Sequence, residues 1–283
     1  MSFGKYRMTF GQTTRVMGIL NVTPDSFSDA GKFFRFEDAL SHGLELARQG
    51  ADILDIGGES TRPHAEAVSD EEEIRRVAPL IRNLCERIQI PISIDTTKAK
   101  VARAAIEAGA SMINDVSALR FDGDMVNVAK EFGVPVVLMH MLGTPKTMQA
   151  DPTYENVVGE IFQFLFDAVS RAKRNGISGS SIIVDPGIGF GKRIEHNLAL
   201  IRNLSRFLDL GVPILVGPSR KAFIRKLLKS KEIQDLSPDL PVVGIGTQAA
   251  VAACALNGAH IVRVHDVEAT CTTLRIIDGI KNS

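Results

Sequence analysis

Gln49-Gly50-Ala51-Asp52-Ile53-Leu54-Asp55-Ile56 reads as the end of one element and the start of another. The glycine halts a helix in a left-handed turn, a small residue redirects the chain, and an apolar run begins. The same order recurs twice: Ala108-Gly109-Ala110 leads into residues 111–115, and Asn257-Gly258-Ala259 leads into residues 260–266. Three copies of one helix-to-strand joint imply a βα repeat. Between the joints, Ile74, Val77, Ile81, Leu84, Cys85 and Ile88 recur at helical spacing, with Ser69 and Glu72 as a capping-box signature before them. Val101, Ala104, Ala105 and Ala108 repeat the pattern. So do residues 157–172, and Leu198, Ile201, Leu204 and Leu208. Strands separated by helices pair in parallel, because a short loop cannot return the chain. Eight such units in 283 residues fit a closed (β/α)8 TIM barrel, one domain over residues 1–283 with the barrel proper starting at about residue 15. A doubly wound open sheet is the alternative architecture.

Each of eight apolar runs stops at, or just short of, a polar residue. The endings are Asn21, Asp55, Asp95, Asn114 with Asp115, His140, Asp185, the group Ser219-Arg220-Lys221, and Arg263 with His265. A buried strand should read as plain apolar residues. In a barrel the strand C-termini and the loops after them form the reactive face, so these endings converge on one pocket. A single polar ending is as well explained by capping or a turn; eight together are not.

Bulk composition narrows the function classes. Lys+Arg and Asp+Glu balance at 33 each, which argues against nucleic-acid or acidic-membrane partners. The three cysteines are far apart and form no C-x-x-C pair, the pattern of reduced thiols in a cytoplasmic protein. Residues 1–12 hold no signal-like apolar stretch. The longest strictly apolar run, residues 249–256, is about eight residues, too short to cross a bilayer.

The polar endings divide by chemistry. Asp95, Asn114 and Asp185 offer acceptors and an amide, which suit the amidine-like edge of a nitrogen-rich heterocycle. Arg62, Arg220, Lys221, Arg263 and His265 offer donors and positive charge, which suit a phosphate or carboxylate. Ser219 is a candidate N-cap; two cations in the first turn after it would point to anion binding. Residues 185–192, Asp-Pro-Gly-Ile-Gly-Phe-Gly-Lys, match no nucleotide-binding glycine motif and read as a loop that lets backbone approach a ligand. His140 is a base, a metal ligand or, with no second ligand at metal spacing, a packed and hydrogen-bonded histidine. Cys254 reads as core. His42, His64 and His196 read as surface. The Phe33-Phe34 pair is open between loop anchor and ligand contact.

The motifs Asn21-Val-Thr-Pro-Asp-Ser-Phe-Ser-Asp29, Asp55-Ile-Gly-Gly-Glu-Ser-Thr-Arg-Pro63, Ser93-Ile-Asp95-Thr, Ile113-Asn114-Asp, Asp185-Pro-Gly-Ile-Gly-Phe-Gly-Lys192, Ser219-Arg-Lys221 and Arg263-Val-His265-Asp run in consistent order from about Val16 onward. Together they resemble the dihydropteroate synthase family. The resemblance implies a TIM barrel that condenses 6-hydroxymethyl-7,8-dihydropterin diphosphate with p-aminobenzoate, releasing diphosphate. It also implies Mg²⁺ as cofactor, sulfonamides as competitors, and a homodimer. By the same resemblance Asp95, Asn114, Asp185, Lys221, Arg263, Met139, Phe190 and Gly217 hold the pterin. Phe27, Thr61, Pro63, Phe190, Arg220, Lys221 and Ala222 frame p-aminobenzoate. Asn21, Thr61, Arg62, Arg263 and His265 contact diphosphate, with Asn21 near the metal. Asp95, Arg62, Lys221, Arg263, His265 and Asp29 are the residues implied to act in catalysis. Two positions depart from the family pattern: Ala222 stands where many relatives have Ser, and Ala30 where Gly is common. A pterin-binding methyltransferase domain or a pterin-sensing paralogue is a rival reading, but neither requires both long motifs near the start.

Overall fold

The computed structural model describes residues 1–22, 36–60, 68–229 and 236–283. The expected site residues Phe27, Asp29, Thr61, Arg62 and Pro63 lie outside them, as do Ala30, Phe33, Phe34 and His64. In chain order the elements are β1 (Ser2–Phe3), β2 (Tyr6–Arg7), β3 (Arg15–Asn21), α1 (Phe36–Arg48), β4 (Ile53–Gly57), α2 (Asp70–Cys85), β5 (Ile92–Asp95) and α3 (Ala99–Glu107). Next come β6 (Met112–Asp115), α4 (Met125–Phe132), β7 (Val136–Met139), α5 (Val157–Arg174), β8 (Ile182–Asp185) and α6 (Ile194–Arg202). The chain ends with β9 (Leu215–Val216), α7 (Ala222–Leu227), α8 (Pro241–Leu256), β10 (Ile261–Val264) and α9 (Val267–Lys281).

All eight apolar runs are strands, and each lies in one parallel sheet ordered β8-β7-β6-β5-β4-β3-β10-β9. A parallel bridge between Val184 and Ile214, with Val184 N–H donating to Pro213 O at 2.9 Å, joins its two ends. The architecture is therefore the expected (β/α)8 barrel, and the open sheet is excluded.

The three joints share one geometry. Gly50, Gly109 and Gly258 have φ of 103°, 119° and 101°. After each, the alanine N–H reaches back into the preceding helix: Ala51 to Leu46 O, Ala110 to Ala105 O, Ala259 to Cys254 O. Each glycine N–H donates three residues back, which completes a Schellman-type closure. Gly133 and Gly176 end α4 and α5 in the same way.

Strand periodicity sorts the barrel into layers. Outward-facing Val16, Leu20, Leu54, Ile56, Ile94, Ile113, Leu138, Val184, Val216 and Val264 pack in the large core beneath the helices. Inward-facing Met17, Ile53, Met112, Val137, Ile183, Leu215 and Ile261 form a separate apolar floor. Met8 belongs to that floor, and Met1, Tyr6 and Phe10 pack against it. The β1–β2 hairpin region thus plugs the barrel base, a role the sequence did not announce. Above that floor the inward positions are Asp55, Asp95, Asn114, Met139, Asp185, Gly217 and Arg263, with Ile19 on β3.

Two local expectations change. The helix through Leu198 and Leu208 breaks at Asn203 into α6 and a 3₁₀ segment, Leu204–Leu210. Ser219 is not an N-cap: α7 starts at Ala222, preceded by extended Lys221, and the Ser219 hydroxyl lies 2.9 Å from His265 Nδ1 instead. The two cations therefore precede the helix rather than occupying its first turn.

Candidate active site

The second inward layer is a buried network of charge. Arg263 Nε donates to Asp55 Oδ2 at 2.6 Å and its Nη2 to Asp95 Oδ2 at 2.8 Å. Asn114 Nδ2 donates to the same Asp55 Oδ2 at 2.9 Å. Strand register places these groups: Asp95 is level with Gly57 on one side and Asn114 on the other. Gly57 leaves room beside Asp95, because a Cβ there would meet Asp95 Cβ at 3.4 Å. Asp55 Oδ1 and Asp95 Oδ1 are buried and lack a hydrogen-bond partner among the described residues. Two carboxylates share one guanidinium, so the cation cannot fully offset both. Burial pushes the Asp95 carboxyl up to about 7, against the pull of Arg263.

Asp185 sits at the end of β8, with Gly187 N–H donating to its Oδ1 at 2.7 Å. Burial raises its pKa to about 6, while that hydrogen bond and the nearby Lys221, Lys192 and Arg263 pull it down. The loop after it is held along its length. Gln149 Nε2 donates to Gly189 O at 2.7 Å, Tyr154 Oη to Gly191 O at 2.8 Å, and Gly189 N–H to Asn197 Oδ1 at 2.7 Å. The loop presents Phe190, whose ring centroid lies 4.0 Å from Lys221 Nζ. Phe190 also packs on a small cluster of Val116, Met139, Met141 and Met148.

Lys192, read at first as no more than the end of a glycine motif, is buried beneath this loop. Its Nζ donates to Phe190 O at 2.9 Å and lies 3.0 Å from His140 Nδ1. Burial pulls the Lys192 ammonium down to about 7; burial and then the Lys192 charge take His140 to about 2. His140 is thus the packed, hydrogen-bonded histidine of the open alternatives. Lys98, also unread, links Glu59, Val68 and Glu73. Its Nζ donates to Val68 O at 2.6 Å and pairs with Glu59 at 2.7 Å and with buried Glu73 at 2.8 Å. A buried lysine has no periodic signature. Its only trace in sequence is a cation placed beside a strand end or inside a glycine run.

The other expected residues are placed as follows. Asn21 ends β3, level with Gly57, and is half-buried at the rim. Gly217 backs onto Arg263, because a Cβ there would lie 3.7 Å from Arg263 Cβ. Arg220 has φ of 57°, donates its N–H to Thr247 Oγ1 and pairs its guanidinium with Asp239. Ala222 opens α7. Asp115 is not part of the pocket. One residue past Asn114, it faces outward and accepts the N–H groups of Ser117 and Leu119 at 2.7 and 2.8 Å. The structure thus brings together Asp95, Asn114, Asp185, Lys221, Arg263, Met139 and Phe190, adds Asp55 and Lys192, and sets Asn21 and His265 above them. Such a pocket can hold a flat, N–H-rich ring against acceptors at depth and a negative group toward the rim.

Known proteins resemble this chain in sequence and in fold. Residues 17–265 match the family described as pterin binding enzyme. A dihydropteroate synthase from Synechocystis sp. is 45% identical over 98% of this chain and 93% of its own length. A crystal structure of Yersinia pestis dihydropteroate synthase in complex with a sulfonamide drug superposes with a TM-score of 0.92 at 39% identity, covering 100% of this chain and 99% of the other. The Xanthomonas albilineans dihydropteroate synthase with 4-aminobenzoic acid gives 0.87 at 46% identity, covering 96% and 94%.

Proposed function

The chain belongs to the dihydropteroate synthases, transferases of the pterin-binding enzyme family, and we propose that it joins 6-hydroxymethyl-7,8-dihydropterin diphosphate to p-aminobenzoate by a dissociative substitution. The observation that carries the reading is the inward layer of Asp95, Asn114 and Asp185, with buried acceptor oxygen turned into the barrel and Arg263 and Lys221 beside it. A pterin edge supplies the N–H groups such a layer lacks. The 4-aminobenzoic acid and sulfonamide held by the Xanthomonas and Yersinia relatives are carried over as second substrate and competitor.

In this reading the C–O bond to diphosphate breaks first, and its electron pair leaves with the diphosphate. The cation left behind is delocalised into the pterin ring. The arylamine nitrogen of p-aminobenzoate then attacks the exocyclic carbon and loses a proton. Arg263 and His265 stabilise the departing charge, joined by Arg62. Asp95, close beneath, stabilises the cation, joined by Asp29. Catalysis of this type is preorganised charge, and the reaction calls for no enzyme nucleophile. Lys221, stacked on the Phe190 ring, is assigned to both the pterin and p-aminobenzoate in this reading.

A magnesium ion would neutralise diphosphate charge when bound. Among the described residues no group of three His, Cys, Asp or Glu can hold a metal alone. Mg²⁺ often takes one or two protein oxygens and fills its shell with phosphate and water. Asn21, with one amide oxygen at the rim, fits an ion of that kind brought in with the diphosphate. We read the protein as a cytoplasmic homodimer.

The test is diphosphate release, which should require the pterin substrate, p-aminobenzoate and Mg²⁺ together. Release independent of p-aminobenzoate would refute the condensation. Positional isotope exchange within the diphosphate tests the order of steps; no scrambling under reversible cleavage would refute the free cation.

A further inference from the structure

We infer that Asp55 is a positioning residue that fixes which face of the Asn114 amide reads the ligand, and so makes the pocket select an N–H donor over a carbonyl at that edge. The inference deepens the pterin reading and rests on it. Asp55 is fully buried on β4, two strands from Asn114 on β6. Its register partner on the intervening β5 is Ser93, which is small enough for Asp55 to pass over. A single oxygen, Asp55 Oδ2, receives both Asn114 Nδ2 at 2.9 Å and Arg263 Nε at 2.6 Å. Arg263 can only donate, so that oxygen must be an acceptor. The Asn114 group facing it must therefore be the NH₂, which turns Asn114 Oδ1 toward the cavity.

The consequence is chemical. An unrestrained asparagine can turn its amide to suit either a donor or an acceptor in the ligand. Held by Asp55, Asn114 keeps an acceptor in the acceptor layer beside Asp95 and Asp185. A ring with an amino group at that edge is matched, and one with a carbonyl there meets oxygen against oxygen. Sites built to pair a specific polar group reject the analogue lacking it strongly, because buried groups are left unpaired.

The test compares 6-hydroxymethylpterin with its 2-oxo counterpart, 6-hydroxymethyllumazine, by equilibrium binding. The two ligands differ only at that edge, so any effect of Asp55 acting through Arg263 falls on both and cancels in their ratio. The wild-type protein should prefer the pterin, and Asp55→Ala, which removes the oxygen shared by Arg263 and Asn114, should lower that preference about tenfold or more, because the freed amide can turn. Asp55→Ala combined with Asn114→Asp returns an acceptor to the cavity whichever way residue 114 turns, and should restore the preference. Preference kept in Asp55→Ala, or not regained in the double variant, overturns the inference. Should Asp55→Ala fail to fold, side-chain amide NMR of the wild-type protein decides. The Asn114 NH₂ should exchange slowly with solvent without ligand, and fast exchange overturns the inference. Failure of the pterin to bind wild type would instead refute the pterin reading, with the NMR result still deciding the amide.

Discussion

Asp185 shows how one backbone contact sets the chemistry of a side chain. Gly187 N–H occupies Oδ1, so the other oxygen is the one left for a ligand. In Asp185→Asn the amide oxygen keeps the Gly187 bond and an NH₂ faces the ligand's N–H groups. Losing a charge-assisted bond of about 1.5–3 kcal/mol should weaken 6-hydroxymethylpterin at least roughly tenfold. Unchanged affinity would remove Asp185 from the pterin floor. The pH dependence has a definite sign. An ionised carboxylate accepts at both oxygens, whereas protonation turns one of them into a donor, and burial raises Asp95 to about 7 and Asp185 to about 6. Pterin affinity should therefore fall as pH drops through that interval, and Asp185→Asn should lose the lower step while keeping the upper. A flat titration of wild-type affinity between pH 5 and 8 would contradict the buried-carboxylate account. Ala222 supports a smaller prediction. Ala222→Ser adds a hydroxyl where α7 begins, and one neutral hydrogen bond of about 0.5–1.5 kcal/mol should tighten p-aminobenzoate about two- to tenfold. Equal affinities would place that position away from the carboxylate.

At the scale of elements, the loop between β8 and α6 is a brace rather than a flexible strap. Gly187 has φ of 72°, and a Cβ on it would drive into the His140 carbonyl oxygen and crowd Lys192. Gly133 has φ of 62°, with nothing near an added Cβ. Gly133→Ala should thus cost only the left-handed strain of about 1–2 kcal/mol, a fall in Tm of a few degrees, with pterin binding intact. Gly187→Ala should lower Tm at least about twice as far and weaken pterin binding, because the Asp185 anchor moves with it. Calorimetry and pterin titration on the pair decide; matched behaviour would mean the brace is dispensable. This loop also marks where the sequence stops being legible. Its glycines announce close backbone approach, and the helix-to-strand joints announce themselves by Gly-Ala, because both depend on neighbours in the chain. Lys192 reaches His140, 52 residues away, and Lys98 reaches Glu73, 25 away, and no local pattern encodes either contact. Asp115 misled for the converse reason. It adjoins Asn114, yet alternation turns it outward to build the turn at Ala118 and Leu119, where φ is 54° and 62°.

For the whole molecule, the barrel separates stability from reactivity along its axis. The inward floor is built of apolar side chains, and the inward layer above it gathers Asp55, Asp95, Asp185 and Arg263. Eight polar strand endings were enough to see that layer because the inward alternation is common to every strand. The outer surface is less uniform. A helix that only shields a barrel should be amphipathic, but α8 contains no charged residue. Ile245 on it is 70% exposed, and Ile276 on neighbouring α9 is 63% exposed. Exposed isoleucines on two neighbouring helices offer a surface for a partner, and a second copy of the chain is the occupant expected from the homodimer reading. Sedimentation should find a dimer at micromolar concentration. Ile245→Asp places a charge on that surface without disturbing a buried contact, so it should shift the protein toward monomer while leaving pterin affinity within about twofold, since the pocket opens at the strand ends and not between the helices. A wild-type protein that sediments as a monomer refutes the homodimer, and a variant that stays dimeric moves the interface to another face.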